Sequence, residues 1–230
     1  MKDQPKSKIH KYLKDFSDIN EGKRAVLLAT GPTLSDFDLR NIDKLEIDIV
    51  CGVKQAIKLP GLTYLDYYFF SDINSRSFPD LLDLYNGKVF VKTKFAITLC
   101  DGKNDGRIID GETASKYFGA FPLEISDTRE FTTKIDGFCL AKSSIVFPAV
   151  QFLLFTGVTR LYLVGCDCTN YLSFLEPDKQ KQSAHKNKFP EGMISMWKKF
   201  RLFVKKCYPD VKIISVNPVA LKGIFLDIYL

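Results

Sequence analysis

The stretch Arg24-Ala-Val-Leu-Leu-Ala-Thr30-Gly31-Pro32-Thr33-Leu-Ser-Asp36 decides the fold. Its first seven residues form a short apolar run of the kind a buried strand requires. The run breaks at Gly31-Pro32 into a tight turn that carries a helix-start signal. The same grammar returns in Gly157-Val-Thr-Arg160-Leu-Tyr-Leu-Val-Gly165-Cys-Asp167, an apolar strand that ends on a charged residue. Further strands are expected at 47–51, 64–70, 88–92 and 212–216. Helices are expected over 5–18, from Ser143-Ser144 (a capping pair) to Gly157, and over 193–206. Residues 100–136 carry no readable period beyond a turn at Asp101-Gly-Lys-Asn-Asp-Gly106, and 171–192 read as polar and irregular. Strands alternating with helices at this spacing predict an α/β fold: a Rossmann-like parallel sheet with helices on both faces. The expected division is an N-terminal helix within 1–20 and one domain over 21–230, with a lid segment at about 171–192.

Composition limits the alternatives. The chain has 230 residues, 46% hydrophobic and 26% charged, and so can bury a core without disulfides or metal. Its longest apolar run, 145–158, contains Pro148, Gln151 and Thr156 and is too short to span a bilayer. The polar start lacks the apolar segment of a signal peptide, and six scattered cysteines follow no disulfide spacing, so reduced thiols and a cytoplasmic address are expected. Two histidines, His10 and His185, are too few for a histidine-rich metal site. The net charge of +6 suits an acidic ligand or surface. Lys198, Lys199, Arg201, Lys205 and Lys206 concentrate it on a helix whose plain reading is a core-packed face backed by a solvated basic one. Contact with anionic lipid at the inner face of the membrane, or with an acidic glycan, is the alternative; nucleic acid is not expected, because no exposed aromatics interleave with the charges.

In parallel sheets ligands bind beyond the carboxyl ends of the strands. That rule selects Thr30, Gly31, Pro32, Thr33, Gly52, Ser71, Asp72, Ser143, Ser144, Asp167, Cys168, Thr169 and Asn217. Gly31 would let the backbone approach a ligand, and helix amides with the Thr33 hydroxyl would hold an anion. Equally, Thr33 or Ser35 would simply cap a helix. The loop is neither a lysine-bearing phosphate loop nor a dinucleotide loop. Asp167 would contact a ribose, order the pocket, bind a metal or cap the next turn; a charge there must be exposed or hydrogen-bonded. Asp36-Phe-Asp38 has the form of a metal-binding Asp-x-Asp, but its place at a helix start assigns it to capping. Cys166 and Cys168 read as core and rim, since a metal site would need further ligands. His185, in a polar segment, is either solvated or a proton shuttle. Tyr171 either packs under the loop or offers its hydroxyl to a phosphate.

In this order the pieces resemble the bacterial sialyltransferases of glycosyltransferase family 42, and a wider group of flagellin-modifying transferases with the same core. The resemblance rests on Ala29-Thr-Gly-Pro-Thr-Leu34, Ile49-Val-Cys51, Phe70-Ser-Asp72, the block from Ser143-Ser144 to Asp167, His185-Lys-Asn-Lys188 and Val216-Asn-Pro-Val-Ala-Leu221. It implies a GT-A-like variant of the Rossmann fold and a metal-independent, inverting glycosyltransferase. The donor would be a CMP-sugar, with no further cofactor, and the acceptor a glycan, lipid-linked glycan or protein. His185 would be the general base and Tyr171 would assist the departing phosphate. Thr30, Gly31, Pro32, Thr33, Gly52, Asp72, Ser143, Ser144, Asp167 and Thr169 would surround the nucleotide. The chain departs from the family pattern at Thr30 and Gly52, where asparagines are expected, at Thr169 in place of a tyrosine, and at Lys142 in place of an arginine. Two rivals follow: an ATP- and magnesium-dependent pterin pyrophosphokinase-like enzyme with Asp72 and Asp167 as metal ligands, and a non-catalytic nucleotide-binding module. A homo-oligomer is compatible with each of these readings.

Overall fold

The computed structural model describes residues 13–70, 87–99, 120–126, 130–134, 138–139, 144–169, 171–180 and 189–230. Nine strands form one sheet: β1 (Arg24–Leu28), β2 (Ile49–Val53), β3 (Tyr64–Phe70), β4 (Phe90–Leu99), β5 (Phe121–Ser126), β6 (Phe138–Cys139), β7 (Arg160–Val164), β10 (Lys212–Val216) and β11 (Leu226–Ile228). Their order is β11-β10-β7-β1-β2-β3-β4-β5-β6, and every neighbouring pair is parallel. A separate antiparallel hairpin joins β8 (Tyr171–Ser173) to β9 (Glu176–Gln180). The helices that lie wholly within the described residues are α1 (Asn41–Lys44), α2 (Val146–Phe155) and α3 (Phe189–Cys207), with 3-10 turns at Pro32–Asp36 and Lys54–Lys58. No described helix is long and apolar enough to cross a membrane.

The apolar runs become strands because both faces of a parallel sheet are covered. In β1, Ala25 and Leu27 pack in one core layer while Val26 and Leu28 pack in the other. The alternation repeats in β7, with Leu161 and Leu163 against Tyr162 and Val164. The first layer contains α2 and α3. The second is closed by short elements: the 3-10 turns bring Leu34, Ala56 and Ile57, and α1 lies between Leu39, Ile42 and Leu45. Every residue of α2 from Phe147 to Leu154 is buried, as befits a helix apolar all round. Its one polar member, Gln151, donates to Phe147 O (2.8 Å) and accepts from Thr132 N.

Of the helix expected over 5–18, residues 5–12 lie outside the described residues; Leu13 and Lys14 are helical, 15–22 form turns, and this segment docks firmly. Phe16 meets the rings of Tyr67, Phe95, Phe121 and Phe152 edge-on, with centroids 5.6–6.3 Å apart. Buried Asn20 donates from Nδ2 to Tyr67 Oη at 2.8 Å, and its own N–H donates to Thr156 O at 2.7 Å.

Several boundaries differ from expectation. The fourth strand reaches Leu99, and β5, β6 and β11 were without a sequence signal. Residues 171–180, expected to be irregular, form the β8–β9 hairpin, and 189–192 already belong to α3. Ser144 does not hold the N-cap place of α2: Ile145 does, in a helical conformation and with no side-chain cap, and Phe147 N donates to Ser144 O. Ser143 lies outside the described residues.

The strand order has one mechanical consequence. From β1 the sheet grows in one direction through β2 to β6 and in the other through β7, β10 and β11. Loops leaving the carboxyl ends of β1 and β7 therefore diverge to opposite sides, and a crevice must open between them.

Candidate functional site

Two backbone bonds continue the β1–β7 ladder past the strand ends: Ala29 N donates to Val164 O and Gly31 N to Gly165 O, both at 2.8 Å. The second holds Gly31 so close that a Cβ there would lie 2.5 Å from Gly165 O and 2.6 Å from Asp167 Oδ2. No side chain fits, so only glycine can stand at this position. Gly165, at φ +68°, turns its own backbone against Leu34 and Ala29. The loops thus touch at their bases and separate above.

Asp167 fastens them. Its Oδ2 accepts the Thr33 backbone N–H at 2.8 Å, and its Oδ1 accepts the Thr33 hydroxyl. The carboxylate is buried, and burial holds its pKa above the usual 3.8 although the Thr33 bonds pull it down; the Asp36 charge adds to the rise. Its backbone O accepts Ala220 N. Of the readings open for Asp167, this geometry selects the one that orders the pocket: both oxygens are committed to the first loop. It also corrects Thr33. The residue neither caps a helix nor offers its amide and hydroxyl to an anion, because Asp167 takes both. The turn that follows is a five-residue 3-10 segment with no side-chain cap, and Ser35 donates back to Pro32 O at 2.8 Å.

Above this clasp lies a cleft of about 510 Å³, its open mouth included. The first loop supplies Ala29, Thr30, Gly31 and Pro32; the second supplies Gly165 through Thr169. Ser144 and Val146 come from the start of α2, and Met193 and Trp197 from the start of α3. Thr30 O also accepts Phe174 N at 3.0 Å, which pins the β8–β9 turn to the cleft's rim.

Seven of the expected site residues, Thr30, Gly31, Pro32, Ser144, Asp167, Cys168 and Thr169, therefore share one cleft, and Thr33 is bonded to it. Gly52 does not join them: it lies within β2, not beyond it, and its bare face abuts Leu65. Asn217 also departs, since its side chain and N–H bind the backbone of Leu230 and Ile228. Tyr171 begins β8, but its side chain is outside the described residues, as are Asp72, Ser143 and His185. Asp38 binds Arg40 through its backbone and guanidinium, which hold the carboxyl down at about 2, so it serves the start of α1. No cluster of three metal-ligating side chains occurs among the described residues. Cys166 and Cys168 both face the cleft, and burial raises the Cys166 thiol well above its ordinary value, which keeps it protonated. Cys168 adopts φ +52° to make the loop's bend.

Sequence reasoning missed Met193, Val146 and the cleft role of Trp197. The signal was available for Trp197 and Met193: a helix connecting two parallel strands begins at their carboxyl ends, where the site must be.

No family model and no curated protein sequence matches this chain. Among solved structures, it is similar to the sialyltransferase CstII from Campylobacter jejuni in complex with the substrate analogue CMP-3FNeuAc, at 14% identity and a TM-score of 0.50, over 90% of this chain and 86% of that one. A structure of the sialyltransferase CST-II in complex with trisaccharide acceptor and CMP gives 14% identity and a TM-score of 0.53, over 89% and 86%. At such identity the likeness concerns architecture, and the architecture of this chain is sialyltransferase-like.

Proposed function

We propose that this chain is a glycosyltransferase that moves a sialic-acid-like sugar from a CMP-sugar to a glycan or protein acceptor. The observation that carries the reading is the cleft at the β1–β7 divergence, built by Gly31, the Asp167–Thr33 clasp and Ser144 in a sialyltransferase-like fold. CstII structures of that fold contain CMP and a CMP-sugar analogue. In this reading the backbone of Thr30 and Gly31, with Ser144 and Thr169, surrounds the nucleotide. Asp167 touches no substrate; it holds the loop in the binding shape. Met193 and Trp197 give the cleft an apolar wall that limits water.

The reaction would proceed by inversion. The acceptor hydroxyl attacks the anomeric carbon, the bond to the CMP phosphate breaks, and CMP leaves with the bonding electrons. By its resemblance to the family histidine, His185 takes the acceptor's proton, and Tyr171 donates a hydrogen bond to the leaving phosphate. The pyrophosphokinase alternative assigns Asp167 to a metal ion, and that role would require it to release Thr33.

Thermal shift with CMP, CDP, UDP, GDP and ATP, each with and without magnesium, tests the reading, since stabilisation grows with ligand concentration over affinity. Preference for CMP without magnesium is expected. Preference for ATP with magnesium would replace the transferase by the kinase, and no shift with any nucleotide would leave a non-catalytic module. His185→Ala is expected to suppress turnover while CMP binding survives.

A further inference from the structure

Helix α3 has two unlike sides. Met193, Met196, Trp197, Phe200 and Val204 are buried in the core. At about 100° per residue, Arg201, Lys205, Lys198, Leu202, Lys206 and Lys199 follow one another around an opposite arc of about 160°, with Leu202 near its middle. All six are exposed, and Leu202 keeps 68% of its surface in solvent. No described carboxylate pairs with any of the five cations; the ion pairs seen between described residues join Arg24 to Glu46 and Arg40 to Asp38. The helix's one acidic residue, Glu191, sits about two turns before Lys198.

A lone exposed leucine is ordinary on a solvated surface; the five cations that flank this one make the face complementary to an anionic surface. At a bilayer, cations meet anionic headgroups while the apolar side chain enters the interfacial layer. We infer that the outward face of α3 docks on an anionic lipid bilayer. The charge pattern selects this occupant, and the inference does not rest on the transferase reading.

The test is co-sedimentation of the full chain with phosphatidylcholine vesicles, with and without phosphatidylglycerol. Partitioning onto the anionic vesicles alone, lost at molar salt, is expected. Each cation near such a surface contributes about fivefold, so Lys198→Gln with Lys205→Gln is expected to weaken partitioning about 25-fold. Leu202→Ser is expected to weaken it about tenfold. Retention on heparin, a soluble polyanion, is expected to fall in the double lysine variant and to be unchanged by Leu202→Ser. All three side chains are exposed, so the variants are expected to keep the wild-type melting temperature. Absence of wild-type partitioning onto anionic vesicles would overturn the inference. So would partitioning indifferent to Leu202→Ser, which would reassign the face to a soluble polyanion.

Discussion

The carboxyl ends of β7 and β10 lie side by side and look alike in sequence: each strand is apolar and each is followed within three residues by a polar side chain, Asp167 or Asn217. Their fates differ. Asp167 reaches across to Thr33 in the turn after β1, whose connection departs to the other side of the sheet, and a cleft remains above the bond. Asn217 closes on Leu230, just beyond the neighbouring strand β11, and the bond fills the space. A polar residue beyond a strand thus marks a site only where adjacent connections diverge; elsewhere the same residue type closes the edge.

Substitutions at the two tips can break or sharpen that contrast. The largest effect is expected from Gly31→Val, whose added carbons would collide with Gly165 O and the Asp167 carboxylate. We expect a loss of about 3 kcal/mol in urea unfolding and no CMP-dependent thermal shift. Wild-type stability would show that the loops can part. Next is Asp167→Ala, which leaves the Thr33 N–H and hydroxyl without their acceptor, at a cost of about 2 kcal/mol and with weakened nucleotide binding.

The pH dependence gives a finer reading of the same residue. Since burial raises the Asp167 pKa, the folded state holds its proton more tightly than the unfolded chain. Its contribution to stability is therefore full below 3.8 and declines as pH rises through the raised value. Urea midpoints of wild type against Asp167→Asn should converge or cross in that direction; a difference that moves the other way would contradict the burial argument.

Asn217→Ala should cost about 1 kcal/mol, loosen the C-terminal residues to hydrogen exchange and leave the CMP shift intact. If it impairs binding as strongly as Asp167→Ala, the contrast between the tips is lost. The smallest effect is expected from Asp38→Asn. Its carboxylate is exposed and occupied by Arg40, so thermal shifts with nucleotide, with or without magnesium, should match wild type.

The sequence announced what depends on local pattern. The strands β1, β3, β7 and β10 were readable because each is a predominantly apolar run followed by polar or turn residues, and the rule for parallel sheets then pointed to Thr30, Gly31 and Asp167. It could not separate Asp167 from Asn217, because the distinction lies in strand order, and no residue encodes its sheet neighbour. The Asp167–Thr33 bond was hidden for the same reason: the partners are 134 positions apart. The β8–β9 hairpin lacked alternation, and Pro177 argued against a strand, being tolerated only where a ladder bond can be spared. Gly52 failed on a boundary. A strand ending at Val53 rather than Cys51 moves it from a tip to a position between Leu28 and Tyr68.

The contact of Phe16 with four rings bears on how the protein can be cut. Shortening the chain to start at Arg24, where the first strand begins, would remove a plug and expose four aromatic edges together with the Tyr67 hydroxyl that Asn20 satisfies. The fragment would carry a sticky patch on its flank and tend to precipitate. A workable truncation must keep Leu13, the first described residue, which is buried in the same core layer.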